Sequence, residues 1–500
     1  MMGTKEAVQD ACRSFKAGDV VLCCEPLVWA LERSAYETRC AYCLLENQEL
    51  RTCSGCKLHR YCSVACQAAD WKLEHNLECA VLKTAPVGNT KMARDSSMPY
   101  KLDVPREFVA KLVNKIKLNP MMDIPEVGRK SFSDLLLKLP TNPAQSEIER
   151  QLLPGVSAWD PESILTGVPA EVFVACYATL RYSALNMYDV LGTACGVAVY
   201  PQAPPRRMTR VCWDINVELN RQGRRLVIHA AEDIPQYTGL RDLRYSDLQE
   251  PFCRTRAERR AVFQERYGYL CTCRRCTPEY DAEINRLRCV TVGCMNQIPS
   301  DSRALQACSE CGALNGDRLQ QFRRFIQQFE TNTTRYSLEL QDVLAMQLCQ
   351  EMDAAGILQP DAHFRYVCGW ELPKKYFADN RFEDGWKMTK ELVDCVRKIY
   401  PKYAVFRARL LLSAGLTAVD ALHHQMLISG MDHTSRPADR KLEASANEVV
   451  AVNMDYCSEA RSIFVKIFGE QSKVVQKCDA DCKQADRKLL HIQQILRTTK

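Results

Sequence analysis

Residues 207–216 read RMTRVCWDIN, with a lone cysteine, Cys212, in what looks like ordinary loop and strand just past a proline-rich run. Its nearest cysteine neighbours are Cys195 before it and Cys253 after it, so no local pairing explains it. The chain around it has 500 residues, which is too long for one core and implies two or three domains. Hydrophobic residues make up 46% and charged residues 26%, the balance of a globular chain, and a net charge of +6 is too mild to demand a nucleic-acid partner.

Cysteine is the informative residue. There are 27, an odd number, and the apolar run VVLCCEPLVWAL (20–31) is broken by Glu25 and Pro26 without a basic flank or cleavage site. No stretch has the roughly 18 apolar residues of a membrane span. The reading is reduced thiols in nucleus or cytosol, partly held by metal.

Eight ligand candidates fall within residues 40–79: Cys40, Cys43, Cys53, Cys56, Cys62, Cys66, His75 and Cys79. A C-x2-C turn offers two thiolates to one tetrahedral zinc, and residues four apart share a helix face. A helix starting after an N-cap at Ser63 therefore makes Cys62 with Cys66, and His75 with Cys79, the second halves of two sites. The simplest sets are interleaved: Cys40, Cys43, Cys62, Cys66, then Cys53, Cys56, His75, Cys79. An iron–sulfur cluster is the rival; a histidine-containing set favours zinc. Cys271, Cys273 and Cys276 in YLCTCRRC lack a fourth ligand, and Cys289, Cys294, Cys308 and Cys311 form a candidate four-cysteine ribbon. Cys23, Cys24, Cys478 and Cys482 have no partner set, and His423-His424 has no partner spacing.

Elsewhere the pattern alternates between strand and helix. KAGD (16–19) marks a turn before Val20-Val21-Leu22 and Leu27-Val28-Trp29. Residues 101–195 read as mostly helical, and strands return with GVAVY, VELN and RLVIHAA, the last two joined at RQG (221–223). Leu319, Phe322, Ile326 and Phe329 open an all-helical tail. The arginines of CRTRAERRAVFQERYG (Arg254, Arg256, Arg259, Arg260, Arg266) read as a solvated helix face, since glutamates interleave with them.

Residues 40–79, with YCS, CQ, DW, His75 and Cys79 in order, resemble a MYND zinc finger. With a C-x-C-x2-C triplet closing a β-rich region, the whole resembles the SET-and-MYND (SMYD) protein-lysine methyltransferase family. The resemblance implies an α+β architecture with seven parts: an N-terminal SET lobe (1–38), the MYND finger (39–80), a helical insert and SET (81–195), core SET (196–250), post-SET (251–277), the candidate ribbon (278–315) and a helical-hairpin C-terminal domain (316–500). It implies that Cys212, in the degenerate stretch Thr209-Arg210-Val211-Cys212, is the fourth ligand of the triplet's zinc. It matches Tyr245 to the tyrosine that orients methyl transfer, and Tyr267 and Tyr269 to a lysine channel; plain core packing explains these tyrosines equally well. Cofactor contacts would fall on Thr209, Arg210 and Ser183, none of which is the family residue. The family's Gly-x-Gly turn has no counterpart in residues 1–39, which hold only Gly3 and Gly18.

The expectation is three zinc ions, with a fourth at the ribbon, and doubtful binding of S-adenosylmethionine. The function ranked first is protein interaction, through Pro-containing peptides at the finger, with an impaired methyltransferase site. The rival is an active enzyme acting on a histone or another lysine-bearing protein. A DNA-binding regulator rests only on mild basicity. Neither a membrane nor nucleic acid is expected as partner, and the location expected is nucleus, cytoplasm or both.

Overall fold

The computed structural model describes residues 13–31, 35–46, 49–76, 78–79, 83, 121–124, 128–131, 185–188, 194–200, 210–237, 239, 243–246, 254–267, 269–335, 338–369, 371–428 and 440–498. Strands β1 (Arg13–Phe15), β2 (Val20–Cys24) and β3 (Val28–Leu31) precede the finger. Two short strands within it, β4 (Arg51–Thr52) and β5 (Arg60–Tyr61), pair antiparallel. The described residues of the stretch read as mostly helical are strands: β6 (Met121–Ile124), β7 (Gly128–Ser131), β8 (Leu185–Tyr188) and the start of β9 (Ala194–Val199). The rest of that stretch lies outside the described residues.

Among the described residues, β1–β3, β8, β9 and three later strands pair in three small antiparallel sheets. They are β10 (Val217–Gln222) with β11 (Arg225–Ala230) and β2; β3 with β9 and β8; and β1 with β12 (Ile234–Tyr237). Five of the six residues of the central strand β11 are buried rather than every second one, so both of its faces are covered: Leu226, Ile228 and Ala230 lie in the sheet core, and Val227 and His229 are buried on the other face. The hairpin turn sits later than RQG suggests. Arg221 and Gln222 stay paired, with Gln222 opposite Arg225, and the reversal is made at Gly223, whose φ is +61°. A left-handed backbone there suits glycine, and a Cβ would lie 2.5 Å from the Cys43 carbonyl oxygen of the finger.

The stretch around Cys212 is a seam between two cores. Val217 and Tyr245 pack with Phe15, Trp29, Leu226 and Ile228 in the sheet core. Val211, Cys212, Trp213 and Ile215 pack instead with the helical half, in a cluster that runs through Phe322, Trp386 and Phe464. From Gly316 to Thr498 the described elements are helices, among them Gly316–Arg335, Phe382–Ile399, Val405–Ile428, Arg440–Phe468 and Lys473–Thr498. In Phe382–Ile399 the buried Phe382, Trp386, Leu392, Val396 and Ile399 trace an apolar stripe. Polar bonds tie the halves together: Asn220 Nδ2 donates to the Ile467 carbonyl at 2.9 Å, and the Tyr403 N–H to the Ala231 carbonyl at 3.1 Å. The Val405 N–H donates to Glu218 Oε1 at 2.9 Å. No described helix is long and apolar enough to cross a membrane.

Candidate metal centres and the surroundings of Tyr245

Both finger sites assemble in the interleaved order. Cys40, Cys43, Cys62 and Cys66 converge, as do Cys53, Cys56, His75 and Cys79, with each set's donor atoms within 4.8 Å of one another. Cys43 and Cys62 sulfurs are 3.7 Å apart and those of Cys62 and Cys66 3.5 Å. In the second set Cys53 and Cys79 are 3.9 Å apart, and His75 Nε2 lies 3.3 Å from Cys53 Sγ. Tetrahedral zinc with bonds of about 2.3 Å sets its sulfurs about 3.8 Å apart, whereas a disulfide needs about 2 Å. These are metal spacings.

The local backbone is built for this. After each C-x2-C pair the chain turns through a left-handed residue, Leu44 (φ +62°) or Lys57 (φ +61°), which a side chain adopts at a cost of about 1–2 kcal/mol. The turn lets the Leu44 N–H return to the Cys40 carbonyl at 2.9 Å and the Lys57 N–H to the Cys53 carbonyl at 3.1 Å. Ser63 caps helix Val64–Asp70, its Oγ accepting from the Cys66 N–H at 3.1 Å. A single π turn, Trp71–His75, then inserts one extra residue and brings His75 onto the second site. His75 Nδ1 is 3.1 Å from Glu78 Oε1, the carboxylate–imidazole pairing that orients many zinc-binding histidines. Burial lowers the His75 pKa, but hydrogen bonds with Cys56, Glu78 and Cys53 raise it to about 10. Metal entry must therefore displace that proton along with those of the thiols.

Cys212 completes the third set. It is fully buried, its sulfur 3.2 Å from that of Cys276 and 3.8 Å from that of Cys273, and its N–H reaches Cys271 Sγ at 3.3 Å. The four donors again lie within 4.8 Å of one another. Trp213 beside it is fully buried, with the guanidinium carbons of Arg259 and Arg275 at 4.6 and 5.0 Å from its ring centroid. Asp214 faces Arg274 at 3.3 Å and Arg275 at 3.7 Å.

This corrects the reading of the arginine-rich segment as a solvated face. Arg259 is fully buried and donates to the carbonyls of Arg254 (2.7 Å) and Arg275 (3.2 Å), while Arg256 donates to that of Cys276 (3.1 Å). The guanidinium fork satisfies carbonyls that the turn at Cys271–Cys276 leaves open, so these arginines hold that loop in place.

Cys289, Cys294, Cys308 and Cys311 also converge, their sulfurs within 4.8 Å of one another. His423 has a partner that the sequence did not suggest: His491 Nδ1, 3.0 Å from its Nε2. Cys478 and Cys482 gain a neighbour too, Cys457, and the nearby Cys482 pushes the Cys457 and Cys478 thiols up.

Of the predicted cofactor and channel residues, Thr209 and Ser183 lie outside the described residues, as does the Tyr267 side chain. Arg210 is buried, and its guanidinium carbon sits 5.6 Å from the Tyr245 ring centroid. Tyr245 is 1% exposed, and its hydroxyl has no hydrogen-bond partner among the described residues. The Tyr269 hydroxyl donates to the Arg210 carbonyl at 3.0 Å, so this half-buried tyrosine braces the backbone beneath Arg210.

Comparison with known proteins agrees with the finger. The MYND finger family matches residues 40–79. Among curated proteins the chain is similar to SET domain-containing protein 14 of Caenorhabditis elegans, 23% identical over 50% of this chain and 53% of that one. It is similar to the human histone-lysine N-methyltransferase SMYD3, 24% identical over 54% of this chain and 59% of that one. N-lysine methyltransferase SMYD2-A of Danio rerio is 36% identical over a shorter segment, 14% of this chain and 16% of its own. The chain spans little more than half the length of the first two relatives.

Proposed function

We propose that the chain, which carries a matched MYND finger and is similar to SET-and-MYND proteins, is a zinc-held member of that family acting chiefly as a protein-interaction module whose methyl-transfer site is impaired. Three ions hold its framework: two in the finger and one at Cys212, Cys271, Cys273 and Cys276. The division is that of the family, with SET segments at 1–38, 81–195 and 196–250, the finger at 39–80, post-SET at 251–277 and helical hairpins at 316–500. Nucleus and cytoplasm are the compartments that suit reduced, zinc-held thiols.

The observation that carries the impaired reading is Arg210 against Tyr245. The family resemblance gives that tyrosine the task of orienting methyl transfer from S-adenosylmethionine, whose methyl group sits on a positively charged sulfonium. A buried guanidinium over the same ring sets like charge against it. The residues therefore fit this cofactor poorly. The interaction half rests on one face of the finger's helix, where Val64 and Trp71, seven residues apart, are 64% and 48% exposed. An indole in that position offers a flat apolar surface for a proline ring, and such aromatics anchor peptide interfaces.

One observation favours the second reading, an active protein-lysine methyltransferase. The Tyr245 hydroxyl is buried without a partner among the described residues, and a buried hydroxyl left unbonded suits a site that a ligand completes. Calorimetric titration of the zinc-loaded protein with S-adenosylmethionine separates the two. No saturable heat at micromolar ligand is expected; binding accompanied by methyl transfer to a lysine peptide would establish the second reading instead.

A further inference from the structure

The ribbon between the post-SET turn and the helical half has more structure than four convergent thiols. Its knuckle Cys308-x2-Cys311 turns through Gly312 with φ +73°, in the same left-handed region as Leu44 and Lys57 of the finger. The Gly312 N–H returns to the Cys308 carbonyl at 2.8 Å, the same bond that closes both finger knuckles. The Cys308 N–H then bonds the Ala313 carbonyl at 2.9 Å, as the Cys40 N–H bonds that of Leu45 at 3.0 Å. Three knuckles in one chain thus share one backbone design, and two of them lie in a finger that matches a known zinc family.

The other half of the ribbon supplies the remaining thiols through a turn at Gly293 (φ +84°), closed by the Cys294 N–H on the Thr291 carbonyl at 3.1 Å. Cys289 lies 3.5 Å from Cys311, and Cys294 3.8 Å from Cys308, again the edge lengths of a tetrahedral thiolate site. Fully buried Asn315 locks the halves together, accepting from the Val290 N–H at 2.9 Å and donating to the Ala313 carbonyl at 3.0 Å. Asn296 Nδ2 donates to Cys308 Sγ at 3.2 Å, the outer contact a thiolate ligand wants. The ribbon has little core of its own. Leu287, Ile298 and Ala304 anchor its base in the helical core, but beside the thiols Val292, Met295 and Leu314 are 99%, 83% and 68% exposed, so apolar burial does not hold the knuckles themselves.

We infer that Cys289, Cys294, Cys308 and Cys311 hold a fourth, structural zinc ion. A set of four thiolates selects a soft tetrahedral metal, and with all four positions filled by protein the site is closed to substrate. Because Cys311 is exposed, this ion exchanges faster than those of the finger or the Cys212 site. The inference does not depend on the state of the methyl-transfer site.

Native mass spectrometry of the full-length protein, purified with zinc, tests it together with elemental analysis. Four zinc ions per chain are expected, and three in a Cys308→Ser, Cys311→Ser double variant. In the wild type one equivalent should pass to a chromophoric chelator ahead of the rest, a phase missing from the variant. A wild-type count of three overturns the inference even if the variant fails to fold. So does a double variant that keeps four ions, or a fourth ion that is iron.

Discussion

Replacing Glu218 by Gln removes a charge while keeping the acceptor that the Val405 N–H uses. The carboxyl sits where the β10–β11 hairpin meets the first turn of helix Val405–Ile428. Burial raises its pKa from 4.5 to about 7, against the opposing pull of the Val405 N–H and Arg409. The sign follows from proton counting. Between those two values the folded chain holds a proton that the unfolded chain has released, so stability falls as pH rises and levels off once both forms are ionised. The interval corresponds to about 3 kcal/mol when complete. Glu218→Gln has no such ionisation cost. Its advantage over the wild type should grow from about 1 kcal/mol at pH 5 to about 3 kcal/mol at pH 8. Urea denaturation of both zinc-loaded proteins across that range measures the difference, and losses of zinc common to both cancel. A difference that stays constant with pH, or a variant less stable at pH 8, would refute the reasoning.

Two further outcomes are expected. Cys212→Ser should carry one zinc fewer by elemental analysis and melt markedly lower, whereas Thr209→Ala should do neither; equal zinc in wild type and Cys212→Ser would remove the ligand assignment. Gly223→Ala places a Cβ 2.5 Å from the Cys43 carbonyl at a left-handed position, which should cost about 1–3 kcal/mol in thermal stability and expose the finger to limited proteolysis. Unchanged melting and cleavage would mean that the hairpin tip and the finger do not pack.

Ligand spacing was legible because zinc knuckles are local. Two thiols three residues apart, or a pair on one helix face, meet whatever the rest of the chain does, so both finger sets could be read from residues 40–79. Cys212 was legible only through resemblance, because its partners begin at Cys271 and no periodicity links the two. The fate of Arg259 could not be read. Glutamates around it give the pattern of a wet helix, and its burial depends on the Trp213 ring and on carbonyls of a turn that only the metal loop creates. The turn at Gly223 was misplaced for a simpler reason: polar Arg221 and Gln222 look like loop, yet each is held by a strand partner. Likewise the π turn at Trp71–His75 has no composition signature, since one inserted residue alters phase and leaves content unchanged.

The site at Cys212 also says something about the order in which the chain can fold. Cys212 meets Cys271 across 59 positions of sequence, and joining two points so far apart costs the unfolded chain about 4 kcal/mol of conformational entropy. Helices such as Arg440–Phe468 and Lys473–Thr498 are neighbours in sequence and pair quickly by themselves. The end of a third helix, Phe382–Ile399, is met from this side instead: the Trp213 ring lies tilted with its centroid 5.7 Å from that of Tyr400, and Arg275 bonds the Ile399 carbonyl. Both residues are adjacent to zinc ligands. Binding of one ion between Cys212 and the Cys271–Cys276 triplet is therefore the longest-range closure among the four thiolate-rich sets, and it fixes the two residues that hold the end of that helix.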